Sequence, residues 1–575
     1  MDIIYKNKAL ERVLIFTNFA VTVVVVIAAL AQLGFYRPLL PEKIMYTIFI
    51  AAVVLFIIEK ILRFVNARFK KDFFHFFWFE ILFIIVSAII YYTAGLLWFL
   101  SVYLLLQIIT KVCRTVINLA ASGKSPALTF VGSFVVIILI GSVLLMLPKS
   151  HTTPSMSFID AVFTSTSATC VTGLVVIDTG KDFTFIGQII ILCMIQLGGL
   201  GIIIFGAVFS LMLGQALSFR QTAAMQDILS EHTASMIAHF IGFIFIFTIA
   251  IEILGAVFVH NMWKSIPVPA QIQSLWFCSV FHSISAFCNA GFSLYSDSLI
   301  SFSNNWQIYG VICPLVILGG LGFSVLHNLI DYFWHKITLL FALKKRGRSV
   351  IPPEKIQLQT KIVLIMNLIL IIAGTTFLLI IQNNTGKKHI DLTDAFFQAV
   401  IARTAGYNSI DISILSDPAR LLMIILMLIG GSPASAAGGI KTVTFAVIIV
   451  AIYSAIRKRS EVEIFKRSIP LQIVGKALSV TMLFTFVFLT MGLLLSITER
   501  HSGFDFSAIM FETASALGTV GLSCGITPSL TTAGKIIIII TMLVGRLGPL
   551  TLLTLLTFNI RPARVNYPMQ PVVVG

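Results

Sequence analysis

The segment Thr169-Cys170-Val171-Thr172-Gly173-Leu174 returns three times in altered form. Cys288-Asn289-Ala290-Gly291 runs into Phe292, Arg403-Thr404-Ala405-Gly406 into Tyr407, and Gly518-Thr519-Val520-Gly521 into Leu522. The four closing glycines are 118, 115 and 115 residues apart, and ten residues before each stands Phe163, Phe281, Phe396 or Phe511. A second glycine mark follows 24 to 28 residues later. It reads Gly198-Gly199-Leu200-Gly201, Gly319-Gly320-Leu321-Gly322, Gly430-Gly431 and Gly545-Arg546-Leu547-Gly548. Small residues by themselves often only ease helix packing in membranes. Two marks in fourfold register point instead to an internal repeat.

The stretches leading into the tetrads, 158–169, 275–287, 391–402 and 506–517, are only about half the 20 apolar residues of a spanning helix. They read as re-entrant half-helices, which membranes tolerate where protein or water covers their ends. Around them lie twelve longer apolar runs: 12–33, 45–66, 74–92, 96–117, 128–148, 186–214, 236–262, 308–332, 360–382, 419–454, 473–497 and 534–558. Each unit is then helix, half-helix, glycine turn, helix. The expected fold is an all-α polytopic membrane protein with four helix–pore-helix–helix repeats around one pore and four extra N-terminal helices. The boundaries are 1–122 for the N-terminal helices, 125–215, 235–335, 358–456 and 471–560 for the repeats, and 561–575 for the tail.

Composition agrees. Of 575 residues, 58% are apolar and 11% charged, with a mean hydropathy of +0.99, which excludes a soluble enzyme and a disordered chain. The net charge of +16 would suggest a nucleic-acid partner in a soluble protein. Here the bases sit in loops: Arg63, Arg68, Lys70 and Lys71; Lys344, Lys345, Arg346, Arg348, Lys355 and Lys361; Arg457, Lys458, Arg459, Lys466 and Arg467. With twelve spans all three loops fall on one side, which the positive-inside rule makes cytoplasmic. Both termini are then cytoplasmic, and the half-helices enter from outside. No nucleic acid is expected. The seven cysteines form no Cys-x-x-Cys or Cys/His set, so neither a disulfide framework nor a zinc site is expected.

A dehydrated cation must exchange its water shell for oxygen ligands, and backbone carbonyls aimed at an axis supply them. Successive carbonyls point inward only where one residue takes backbone angles that glycine permits. The half-helices would also turn their partially negative C-terminal ends toward the ion. No tetrad contains Asp or Glu, so a monovalent ion held by carbonyls is favoured.

With these residues in place, roughly 125–575 resembles the Ktr/Trk/HKT superfamily of potassium transporters, in its KtrB-like, TrkH-related branch. The tetrads carry the resemblance, together with Ala402-Arg403-Thr404-Ala405-Gly406-Tyr407-Asn408, Gly430-Gly431-Ser432-Pro433, Ala437-Gly438-Gly439-Ile440-Lys441-Thr442 and Gly545-Arg546-Leu547-Gly548-Pro549-Leu550-Thr551. It implies one pore per subunit, a homodimer, and a bacterial-type inner membrane. It implies a selectivity filter from Thr169, Cys170, Val171, Thr172 and Gly173, Cys288 to Gly291, Arg403 to Gly406, and Gly518 to Gly521. Potassium ligands would come from Val171, Thr172, Asn289, Ala290, Thr404, Ala405, Thr519 and Val520. In that superfamily four filter glycines go with potassium, and serine in the first with sodium permeation.

Glycines and a proline interrupt the third unit's second helix at Gly430, Gly431, Ser432, Pro433, Ala434, Ser435, Gly438 and Gly439. Such a run is either a kink or a movable loop. The resemblance implies a gate, although the family run carries glycine then threonine where this chain has Ala434 and Ala436. Arg546 interrupts an apolar span, where a charge costs about 3 kcal/mol or more. The resemblance places it under the filter as a barrier to cations; the other reading is a staple onto backbone carbonyls. Lys441, just past the loop, is counted with the gate; nearer the cytoplasm, its other reading is a side chain that only snorkels. Glu59, Lys60, Arg63, Trp78 and Glu80 loosely resemble voltage-sensor residues. The fourth helix holds only Lys111 and Arg114, and each charge senses about 2.3 kcal/mol per 100 mV, so a structural role is expected.

No Gly-x-x-x-x-Gly-Lys-Ser/Thr loop or His-Glu-x-x-His motif occurs, so the chain is not expected to be an enzyme, and no cofactor is expected on it. The resemblance implies a cytoplasmic KtrA/TrkA-type ring of nucleotide-binding regulatory subunits, which would meet the basic loops. Those loops serve equally as topology signals or contacts to anionic lipid. The competing reading is a sodium- or proton-coupled secondary carrier, which predicts inverted repeats; these repeats run parallel.

Overall fold

The structure is a computed structural model describing residues 7–37, 39, 41–66, 126–152, 156–201, 237–266, 274–344, 356–385, 388–459 and 461–548. The expected spans 74–92 and 96–117, the far end of 186–214, the basic residues Arg68, Lys70, Lys71, Lys345, Arg346, Arg348 and Lys355, and the tail 561–575 lie outside the described residues.

Helices dominate. An N-terminal pair, α1 (Lys8–Leu33) and α2 (Glu42–Asn66), is followed by α3 (Pro126–Leu145), α4 (Phe158–Thr169) and α5 (Phe185–Leu200). Next come α6 (Ile237–Val259), α7 (Leu275–Phe287), α8 (Cys313–Leu321) and α9 (Phe323–Lys344). Then follow α10 (Leu358–Thr385), α11 (Leu392–Ile401), α12 (Asp417–Leu428) and α13 (Thr442–Ile456). A short hairpin, β1 (Val462–Ile464) with β2 (Arg467–Ile469), leads to α14 (Leu471–Thr498), α15 (Phe506–Gly518) and α16 (Thr532–Leu547). Hydroxyl caps start several of them. Ser157 accepts from the Asp160 N–H and Ser274 from the Phe277 N–H, both at 3.1 Å. Each satisfies an amide the helix cannot pair itself.

The molecule is arranged with its short helices inside and its long apolar helices outside. α4, α7, α11 and α15, of 12, 13, 10 and 13 residues, are buried along most of their length. On α6 and α14, by contrast, Ile246 and Met482 are each 70% exposed, and many further apolar side chains face outward. An exposed apolar belt of that extent suits a lipid surface. Among the described residues, four helical stretches are long and apolar enough to cross a membrane: Ala9–Gln32, His239–Ser265, Leu358–Thr385 and Leu471–Thr498. A fifth exists if Ile308–Leu321 and Phe323–Thr338, bent by 103°, count as one.

That bend corrects the sequence reading. The run 308–332 is broken at Gly322, whereas the interruption expected in 419–454 is found between Leu428 and Thr442. Likewise α5 stops at Gly201 and α16 at Gly548, so the second glycine mark does not lie in mid-helix. Gly201, Gly322 and Gly548 have φ of +82°, +89° and +80°, a backbone region that only glycine adopts without strain. Hydropathy cannot register such a break because the apolar run continues across it.

Two other regions resolve cleanly. At one end of the N-terminal pair, Arg63 reaches Glu59 at 2.7 Å and Glu11 at 3.3 Å, and Asn7 and Asn66 exchange two hydrogen bonds. Glu59 and Arg63 are thus occupied in pairing α1 with α2. The basic loop after α13 folds as the β1–β2 hairpin, with Phe465 and Lys466 both at left-handed φ, as a tight two-residue turn requires. Val462, Ile464 and Ile469 pack on Ile362 and Val474, while most basic residues stay exposed.

Candidate functional site

Each short helix ends at the tetrad expected to follow it, and the four tetrads meet. A β-carbon on Gly173 would fall on the carbonyl oxygen of Ala290; on Gly291, 2.7 Å from that of Ala405; on Gly406, 2.5 Å from that of Val520; on Gly521, upon that of Thr172. The contacts close a ring in the order 173, 291, 406, 521. Every glycine faces the carbonyl preceding the next glycine, so a side chain at any of the four would have to push backbone aside. Their φ values, +89°, +70°, +72° and +91°, are themselves costly for other residues.

Two places upstream of each glycine the backbone is left-handed again: Val171 at φ +56°, Asn289 at +59°, Thr404 at +85° and Thr519 at +51°. Strain of about 1–2 kcal/mol at each, repeated at one position in all four strands, is a feature of the shared design. It alternates backbone handedness along the strand, and so turns successive carbonyls toward one side. Three of the four are β-branched residues, which ordinarily avoid that region; only Asn289 is of a type that enters it readily.

Serines hold these strands. Six residues before the glycine, Ser167 and Ser515 accept the N–H of Gly173 and Gly521 at 3.1 and 3.0 Å, while Ser285 donates to Phe292 O at 2.9 Å. The third unit has Val400 there. Recurrence of serine at this offset in three units was a readable signal that the glycine alignment passed over. Glu512, fully buried, was missed too; its carboxylate accepts from Ser523 at 2.9 Å and from Thr527. So was Glu252, buried in α6, with Gln196 Nε2 at 3.2 Å and Cys288 Sγ at 3.9 Å. Within the tetrads, the Oγ1 atoms of Thr169, Thr172 and Thr519 are buried without a hydrogen-bond partner, as is Arg403 Nε. The Asn289 amide lies 3.3 Å from Thr404 Oγ1, joining the second and third strands.

The second glycine mark seats the helices. Gly198, Gly319 and Gly545 lie against the carbonyls of Thr169, Phe287 and Leu517, each four residues before a ring glycine. In the third unit Gly430 meets Gly438 of its own loop. That loop closes through Gly430 N–H to Ile440 O at 3.0 Å, Ile440 N–H to Leu428 O at 2.9 Å and Thr442 N–H to Gly431 O at 3.0 Å. It is also tied to its neighbours. Ser432 and Ala436 donate their N–H groups to Gly320 O and Gly319 O at 3.0 and 3.3 Å, and Phe323 donates to Ala434 O at 3.0 Å. The break at Gly322 frees those acceptors, since carbonyls at a helix end have no partner within it.

Arg546 donates to Gly198 O and to Ala436 O, stapling the first unit to the loop of the third. Lys441 does not snorkel: its Nζ donates to Ala437 O at 2.7 Å. Gly438 presses on Thr519 and comes within 2.9 Å of Gly518 O, measured from where its β-carbon would stand. The loop residues, Arg546 and the inner end of the fourth strand are therefore one assembly. Ala434 takes φ +53°, at a position where the resemblance expects glycine.

Fold and site together describe a polytopic helical membrane protein built around a ring of glycines. The sequence profile of the TrkH family, described as a cation transport protein, matches residues 106–563, and the chain belongs to that family. It is 38% identical over 462 residues to the Ktr system potassium uptake protein B of Vibrio alginolyticus, covering 79% of this chain and 96% of the relative. It is 39% identical over 456 residues to the protein of the same name from Bacillus subtilis, covering 78% and 96%. With the potassium/sodium uptake protein NtpJ of Enterococcus hirae the identity is 34%, covering 78% and 97%. The crystal structure of the potassium transporter TrkH from Vibrio parahaemolyticus superposes with a TM-score of 0.59 at 18% identity, covering 84% of this chain and 96% of that one, a likeness of fold. These relatives are named as transporters, not enzymes, and α1 and α2 precede the family match.

Proposed function

We propose that this chain takes up potassium across a bacterial-type inner membrane, with the four tetrads as its selectivity filter. The observation carrying the proposal is the closed glycine ring, in which the carbonyls of Thr172, Ala290, Ala405 and Val520 each face the ring glycine of a neighbouring strand. Backbone oxygens replace the ion's hydration shell, with no acidic ring to favour a divalent ion. The unpaired hydroxyls of Thr169, Thr172 and Thr519 supply further oxygen at the same place. Segments 125–215, 235–335, 358–456 and 471–560 are the four pore repeats, with 1–122 a structural N-terminal unit and 561–575 a tail. The names of the Ktr relatives support potassium as cargo.

The loop from Gly430 to Gly439 is the gate in this reading, and Arg546 beneath the ring repels cations while latching the loop. A homodimer with both termini in the cytoplasm meets a ring of nucleotide-binding regulatory subunits through its basic loops. The test is potassium and sodium flux through the purified protein in liposomes, with and without imposed voltage. Potassium-selective flux down its gradient is expected; equal sodium and potassium flux would remove the glycine ring from selectivity.

A further inference from the structure

One side chain braces the end of the second strand, which is itself tied to the third. His282, nine residues before Gly291 on α7, is fully buried. Its Nδ1 lies 2.8 Å from Cys278 O, one turn back, so Nδ1 carries the hydrogen and Nε2 is the acceptor. Nε2 stands 3.1 Å from Ser293 Oγ and 3.4 Å from the Leu294 N–H, both just past Gly291. The ring is clamped by Trp263, with centroids 4.3 Å apart.

The network continues into the third strand. Ser293 Oγ lies 3.2 Å from Ser298 O, and the Asn408 N–H donates to Ser298 Oγ at 3.1 Å. Leu299 N–H returns to Asn408 O at 3.1 Å. Tyr407 Oη reaches His282 O at 3.4 Å and Phe292 O at 3.3 Å. The matching position holds Thr164, Phe397 and Glu512 in the other units. Thr164 bonds its own helix at Asp160 O, Phe397 has no polar atom, and Glu512 binds only residues after the fourth tetrad.

We propose that His282 is a positioning residue of the ion pathway, fixing the outer ends of the second and third strands and thereby setting ion selectivity. The proposal rests on reading the tetrads as the filter. A hydrocarbon of similar size fills the space but offers Ser293 and Leu294 no acceptor, so the strand ends lose their register.

The test measures potassium-over-sodium permeability, half-saturating potassium and maximal rate for the full chain in liposomes, beside Gly173→Ser as a control for the filter. His282→Leu is expected to lower the permeability ratio about tenfold, the equivalent of one buried hydrogen bond, and to raise half-saturating potassium with the maximal rate little changed. His282→Gln, whose amide oxygen accepts, is expected to restore most of the ratio. A wild-type ratio in His282→Leu, or a loss confined to rate and thermal stability, overturns the proposal. Should His282→Leu not fold, Ser293→Ala removes the hydroxyl that Nε2 accepts from, together with its contacts to Tyr295 N–H and Ser298 O; a lowered ratio there supports the proposal and an unchanged ratio overturns it. If Gly173→Ser shifts the ratio while His282→Leu and Ser293→Ala do not, the filter stands and the histidine falls. If Gly173→Ser is silent too, both readings fall.

Discussion

The third unit and the other three use the same glycine break for opposite ends. In the first, second and fourth units the glycines press a helix onto the last carbonyls of a half-helix, and the helix then stops. The third unit puts thirteen residues, 429–441, between α12 and α13, bridged at Ile429 and Ile440. One arrangement makes a rigid seat and the other an insert held by its neighbours. The carbonyls of Gly319 and Gly320, which hold the insert directly, and that of Gly198, which holds Arg546 against it, are those the seats leave unpaired. Each such bond nets about 1 kcal/mol, so the whole latch lies within reach of a partner's binding energy. A fixed seat and an inserted loop are thus two outcomes of one break.

The contrast breaks hardest at the seats. Gly545→Val would drive a side chain into the Leu517 carbonyl, with an expected destabilisation of more than about 3 kcal/mol, read as a lost thermal transition in detergent. Gly430→Val acts on the loop instead and is expected to leave the protein folded while raising flux; equal damage from both would erase the distinction. Shortening 433–438 should raise flux through the open ring several-fold, by roughly the bonds it removes. Unchanged flux in a folded protein would make the insert a mere kink. Arg546→Gln, which loses the charge and the two-pronged donor, should raise flux by a smaller factor at constant selectivity; a changed selectivity would mean that Arg546 also holds the ring in shape. Smallest is Ala434→Gly, which relieves a left-handed alanine and should stabilise the loop by about 1 kcal/mol, read in the melting temperature. A loss of that size would mean that the methyl group packs usefully.

The half-helices were nearly complete in the sequence. Residues 158–169 and 275–287 match α4 and α7, and the other two agree within a residue at either end. Short apolar runs bounded by hydroxyls and glycines mark such elements because both their ends must be satisfied by polar groups. The glycines of the ring were legible for a similar reason: a missing side chain is visible in any sequence. What stayed hidden is conformation carried by residues with no preference for it, namely Val171, Thr404, Thr519 and Ala434; of the five, only Asn289 is of a type that visits the left-handed region readily. Only the surrounding contacts impose those angles. The phenylalanine mark also held unevenly: Phe163, Phe281 and Phe511 are fully buried, whereas Phe397 replaces Phe396 in the core of the third unit.

The four ring glycines belong to a single polypeptide. Where a ring is assembled from four identical subunits, one altered codon strikes every quadrant together, and a harmful change arrives fourfold. Here each quadrant has its own codon. The ring can accumulate differences one wall at a time, so it can come to hold a histidine behind one wall, a glutamate behind another and a hinged insert beneath a third.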